Sequence, residues 1–198
     1  MIALIAAFGL ASGVAHAAPD FDAKRVQVAD PDGETVRMTR ASAQVVVDAS
    51  PEEVWELLAD FGGVEDYLLA ITASDWIGGT EMGDGAARYC DISFQGRNVH
   101  VKERIFDYVE GSEFTYDVYD WTNFPLDRMH NTFGVMVDDA GQTVVYNVID
   151  YKLKPRMLSG VMRGTMSRSA RGSLLGIKHY LETGDASLDR DQLFARYP

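Results

Sequence analysis

The chain has 198 residues, 46% of them hydrophobic, enough to fill one domain with a sizeable core. Eighteen Lys and Arg against 30 Asp and Glu leave a formal net charge of -12, a surface that repels nucleic-acid phosphates and argues against a DNA or RNA partner. The only cysteine, Cys90, excludes an intrachain disulfide and any multi-cysteine metal centre, and the His residues show no ligand spacing.

The opening stretch MIALIAAFGLASGVAHAAPD is small and apolar from residue 2 to 15, too short to span a bilayer. Ala15-His16-Ala17 fits a small-x-small cleavage site, so residues 1–17 read as a secretory signal peptide with Ala18 as the mature start. No basic residue precedes the apolar run, which leaves a second reading open, an uncleaved N-terminal anchor. Export points to a bacterial periplasm. Residues 18–40 form a polar arm or hairpin, with Asp30-Pro31-Asp32-Gly33 as its turn.

ASAQVVVD is a strand, and SPEEVWELLADF a helix with Ser50 as N-cap, Pro51 at N1 and Glu53 closing a capping box. VEDYLL reads as a second short helix. Strands are expected over 72–78, 86–94, 97–109, 113–121, 128–138 and 142–153, separated by turn residues. After Pro155 the apolar period lengthens, and Leu158, Met162, Met166, Ala170, Ile177 and Leu181 mark a long helix ended by Gly184. Residues 185–198 are an acidic tail or short helix. The class is α+β: an antiparallel sheet of about seven strands whose apolar face only the long helix can cover.

The order of elements, with ASAQVVVDASPEEVWELLADF, GDGAARY, VKERIFDYVEG and SLLGIKHYLE, resembles the START-like helix-grip superfamily over residues 41–184. Within it the chain is most similar to bacterial polyketide cyclase/dehydrase-type proteins, with coenzyme Q-binding proteins and plant abscisic-acid receptors as relatives. The resemblance implies a curved sheet gripping the C-terminal helix around a cavity for a small hydrophobic or amphipathic ligand, with no cofactor. It leaves the oligomeric state open.

One residue breaks the pattern. In the strand 97–109, Glu103 shares the apolar row with Val99, Val101 and Ile105. A two-residue turn at Gln95-Gly96 sets Arg88 opposite Glu103, Cys90 opposite Val101 and Ile92 opposite Val99, so the carboxylate acquires a guanidinium partner. Two readings follow: a polar anchor for a ligand, or a structural ion pair. A turn at Glu110-Gly111 likewise sets Tyr116 opposite Ile105 and Val118 opposite Glu103. Parity adds Asn131 and Phe133 on the next strand, Asn147 on the last, and Met162 and Met166 from the long helix. These residues are the expected ligand-binding wall. In the resembling receptors a loop at this point closes the pocket, which makes Trp121, Phe124 and Leu126 a lid; the alternative is a plug of the core.

Cys90 reads as an inert buried thiol. His130, beside Asp127 near the lid, and Glu103 are the residues an enzyme would use, but no nucleophile can be placed near His130. Arg156, Arg163, Arg171 and Lys178 fall on one side of the long helix, either a solvated face or a stripe for an acidic partner or for transient contact with an anionic headgroup. Two functions remain: an exported carrier of a lipid, quinone, terpenoid or polyketide-like molecule, or a cyclase/dehydratase using Glu103 as acid/base.

Overall fold

The computed structural model describes residues 18–186 and 188–198; the signal-peptide reading of residues 1–17 lies outside them. Eight strands form one antiparallel sheet: β1 (Arg25–Ala29), β2 (Thr35–Val47), β3 (Ile71–Ile77), β4 (Ala87–Phe94), β5 (Arg97–Val109), β6 (Glu113–Trp121), β7 (Leu126–Val137) and β8 (Thr143–Leu153). Their spatial order is β1-β2-β8-β7-β6-β5-β4-β3, so β2 is carried to the far side of the meander and pairs with β8. Helix α1 (Pro51–Ala59) and a 3-10 turn (Val64–Asp66) follow β2. The long helix α2 (Met157–Thr183) lies across the sheet, and α3 (Arg190–Arg196) packs back on it.

The arm is part of the sheet. β2 runs without interruption through residue 40, and β1 pairs with its first half from Arg25↔Thr39 to Ala29↔Thr35. That adds the eighth strand to the seven or so expected. α1 starts as read: the Ser50 side chain accepts from the Glu53 N–H, and the Glu53 carboxylate accepts from the Ser50 N–H at 2.8 Å. The second helix shrinks to the 3-10 turn, and Tyr67 and Leu68 after it are buried. Gly176 explains how closely α2 settles there, because a Cβ at that position would sit 2.2 Å from the Tyr67 carbonyl oxygen.

Beyond β1 no strand among the described residues lies beside the outer edge of β2, and an open edge invites aggregation. The basic side of α2 covers it. Arg163 Nε donates to the Arg40 carbonyl at 2.9 Å and Lys178 Nζ to the Val46 carbonyl at 2.8 Å. Arg171 donates to the Tyr197 carbonyl at 3.1 Å. Three of the four residues read as a solvated or headgroup-facing stripe are therefore tied to main-chain carbonyls. The acidic tail is ordered as α3, where Asp189 and Gln192 form a second capping box and Leu193 is buried.

Candidate ligand cavity

The turn at Gln95-Gly96 has both residues at positive φ (50° and 76°), as a two-residue hairpin of the right twist requires. The resulting register sets Arg88 opposite Glu103, Cys90 opposite Val101 and Ile92 opposite Val99. Arg88 Nε donates to Glu103 Oε2 at 2.6 Å, and a second guanidinium nitrogen donates to the Phe61 carbonyl at 2.7 Å. The guanidinium carbon also lies 4.0 Å from the Phe61 ring centroid and 5.1 Å from that of Tyr116. Arg88 is 2% exposed. Burial disfavours its charge, but the carboxylate beside it more than compensates and holds the guanidinium above its ordinary value.

The β5–β6 hairpin differs from the expected two-residue turn. Val109 pairs with Glu113, so three residues turn, with Gly111 at φ 75°. A bulge between Ile105 and Asp107 absorbs the extra residue. The pairs Ile105↔Tyr116 and Glu103↔Val118 are recovered for that reason, and Tyr116 and Val118 keep their inward direction.

Between sheet and α2 lies a cavity of about 130 Å³. Its sheet wall includes Ile92, Val101, Glu103, Tyr116, Val118, Asn131, Phe133 and Asn147, as expected, together with Val99, Met129 and Ile149. Arg88 and Cys90 stand behind the wall: Arg88 holds Glu103 from the rear, and the Cys90 thiol lies 3.8 Å from Glu103 Oε2. Burial pushes that thiol up, in keeping with an inert side chain. Met162 packs against the core but does not reach the cavity. The helix contributes Met166, Ser169, Ala170 and Ser173 instead. Leu68, Ala70 and Ile71 close one side.

The polar groups of the wall form a chain with a fixed direction. Asn147 Nδ2 donates to the Thr132 carbonyl at 3.0 Å, which orients its amide. The same nitrogen donates to Asn131 Oδ1 at 2.5 Å, which turns Asn131 Nδ2 toward the Tyr116 hydroxyl at 2.7 Å. Tyr116 is thus an acceptor toward Asn131 and keeps its own proton for another partner. Burial raises its pKa well above the usual tyrosine value, so it stays a donor at any physiological pH. Glu103 offers the complementary group: Oε2 is held by Arg88, and Oε1 has no hydrogen-bond partner among the described residues.

The lid is smaller than expected. Trp121 ends β6, and Leu126 begins β7 and is 5% exposed; both are wall residues. Only Phe124 sits in the connecting loop. Its ring meets Phe94 edge-on at 5.4 Å, and it separates the cavity from a surface depression lined by Arg97, Asn98, Asn123 and Pro125. Asn123, at φ 59°, fastens the loop by donating to the Asn98 carbonyl at 3.0 Å.

His130 is a correction. Its strand neighbours Met129 and Asn131 face the cavity, so His130 points to the opposite side of the sheet, between cross-strand Asp117 and Asp150 and 5.0 Å from the Phe106 ring. Nearby Arg40 forks onto Asp150 at 2.7 and 2.8 Å, and Arg128 meets Asp30 at 2.7 Å. His130 therefore has no access to a ligand in the cavity. Burial lowers its pKa from 6.5, outweighing the Asp117 and Asp150 charges. The folded chain thus refuses a proton that the unfolded chain accepts below that pH. Stability is expected to fall as the pH drops from 6.5 through the lower folded pKa. His130→Gln should flatten that part of the profile in urea unfolding followed from neutral to acid pH; an unchanged difference between the two proteins across the range would refute it.

Comparison with known proteins agrees with this architecture. The family model for polyketide cyclase/dehydrase and lipid transport matches residues 38–182. The chain belongs to that family. Among solved structures it is similar to the Zhui aromatase/cyclase from Streptomyces sp. R1128, with a TM-score of 0.61 and 19% identity, covering 73% of this chain and 94% of that one. A START superfamily protein from Mycobacterium smegmatis aligns with a TM-score of 0.58 and 17% identity over 72% and 98% of the two chains. A protein from Thermobifida fusca aligns at 0.59 and 17% over 72% and 92%. No curated protein matches the chain in sequence. At these identities the structural neighbours establish the helix-grip fold.

Proposed function

We propose that this protein binds and carries a small, mostly apolar molecule that bears one hydrogen-bond donor and one acceptor. The directed chain from the Thr132 carbonyl through Asn147 and Asn131 to Tyr116 carries this reading, because it leaves a fixed hydroxyl donor on a wall made mostly of aliphatic and aromatic side chains. Glu103 Oε1 supplies the acceptor for a ligand hydroxyl. In size the cavity is close to an apolar cavity of about 150 Å³ that takes up benzene, so it suits a single ring. A lipid, quinone or polyketide-like molecule requires Phe124 to swing away.

Single-ring probes test the donor. Wild-type protein should bind acetophenone more tightly than ethylbenzene. Tyr116→Phe should weaken acetophenone about fivefold, one hydrogen bond's worth, and leave ethylbenzene unchanged. Equal losses for both probes would reduce Tyr116 to packing.

The uncommitted oxygen of Glu103 beside a tyrosine donor also favours a second reading. The pair could take a proton from a poly-β-ketone and stabilise the enolate as a cyclase/dehydratase does. Native mass spectrometry of the purified protein separates the two: an unmodified bound molecule supports carriage, turnover of an added poly-β-ketone supports the enzyme. The apolar run and the Ala-x-Ala site support a periplasmic setting, in which the exported chain begins at Ala18. N-terminal sequencing that returns Met1 from exported protein, or protein confined to the cytoplasm, would overturn that.

A further inference from the structure

Met157 and Val161, one turn apart at the start of α2, are each 77% exposed, the most exposed large apolar side chains among the described residues. Met157 borders a groove of about 530 Å³ between α2 and the β1–β2 hairpin. Lys24, Arg25, Arg37, Lys152, Arg156 and Arg163 line this groove, and no Asp or Glu does. Lys152 is paired with Asp127, and Arg163 is tied to the Arg40 carbonyl. Lys24, Arg25, Arg37 and Arg156 have no ion-pair partner among the described residues. In a chain of net charge -12, four free cations at one place are a concentrated exception.

We infer that this end of the molecule docks on an anionic lipid surface, with Met157 and Val161 entering the bilayer interface and the groove cations meeting the headgroups. A membrane offers a plane of negative charge with hydrocarbon a few ångströms beneath it, which matches two exposed apolar side chains at the border of a cationic groove. An acidic peptide complements the charge but leaves the two apolar side chains without a partner. The net negative charge of the chain does not prevent the approach, because at physiological salt fields die away over about 8 Å and the local patch decides. The docking face is also placed to serve the cavity. The Lys154 N–H donates to the Pro125 carbonyl at 2.9 Å, so the Phe124 loop and the start of α2 share one end of the molecule. A ligand leaving past Phe124 emerges beside the lipid surface. This surface is distinct from the stripe read in the sequence, of which only Arg156 and Arg163 line it.

The test uses the full chain and vesicles of phosphatidylcholine and phosphatidylglycerol in equal parts, with pure phosphatidylcholine as control. Co-sedimentation is expected with the anionic vesicles only, weakening as salt is added. Arg25→Gln, Arg37→Gln and Arg156→Gln together should weaken partitioning about 100-fold, at roughly fivefold per charge. Binding that survives both salt and this triple change would belong to another segment and overturn the inference. A local readout separates the apolar N-terminal run from the patch. Because Cys90 is buried, a polarity-sensitive dye can be placed on Val161→Cys, with Val137→Cys at the far end of the sheet as control. The dye at 161 should shift to the blue and be quenched by a lipid-phase nitroxide, whereas that at 137 should not. An unchanged signal at 161 sinks the proposal. Self-association without vesicles that Met157→Ser with Val161→Ser abolishes would assign the patch to a second copy instead.

Discussion

Glu103→Leu is expected to destabilise the protein by about 3–5 kcal/mol, because it leaves the Arg88 charge enclosed at 2% exposure with no anion. Arg88→Met is expected to be at least as damaging, for two separable reasons. It strips Glu103 of the group that holds Oε2, and it leaves the Phe61 carbonyl without its donor. Phe61 lies just beyond the end of α1, so Arg88 fastens the exit of that helix to the β4–β5 ladder as well as neutralising a charge. The double variant Arg88→Met with Glu103→Leu removes both charges and fills an otherwise apolar row. It should recover much of the loss, but not all, since an unpaired buried carbonyl still costs about 1–3 kcal/mol. Urea unfolding of the four proteins gives the coupling directly. Losses that simply add would mean the two residues act independently, against the 2.6 Å contact. Binding by the double variant reports on function: acetophenone should still bind through Tyr116, whereas a probe hydroxyl should no longer gain affinity over a hydrogen.

The parts of the site that could be read from sequence are those governed by period and register. Gln95-Gly96 admits one tight turn, and from that turn every β4–β5 pair follows, Arg88 with Glu103 among them. The next hairpin was legible only near its centre, because a third turn residue and a bulge near Phe106 cancel within a few residues, and a bulge leaves no periodic trace. On α2 the apolar period points to Met162, yet the face that meets the cavity carries Ser169 and Ser173. Hydroxyls that line a cavity look like solvent positions when only hydrophobicity is counted. Leu68 and Ala70 were hidden for a different reason: they sit in irregular chain after the 3-10 turn, where no period exists to place them. His130 is the opposite case. Its proximity to Asp127 along the chain says little about geometry, whereas the alternation of its own strand already turns it away from the cavity.

The gate is the remaining large effect. Phe124 is half-buried, lies in a loop rather than a strand, and faces the cavity on one side and the outer depression on the other. Its main aromatic partner is Phe94, at the tip of the neighbouring hairpin. Removing the ring from such a site should cost the fold little, about 1 kcal/mol, because the loop keeps its anchor from Asn123 to the Asn98 carbonyl. The effect on a bound molecule should be far larger. With the ring gone the cavity opens toward solvent, and apolar surface that was sealed becomes wetted; at about 25 cal/mol per Å², exposing some 100 Å² costs about 2.5 kcal/mol. Release of acetophenone from Phe124→Ala is therefore expected to accelerate roughly 70-fold, with little change in the rate of entry of so small a molecule. Phe124→Leu, which keeps an apolar cover but loses the edge-on contact, should fall between. A melting temperature that drops as a core truncation of about 3–5 kcal/mol demands, with release unchanged, would make Phe124 a plug of the core and leave the cavity without a gate.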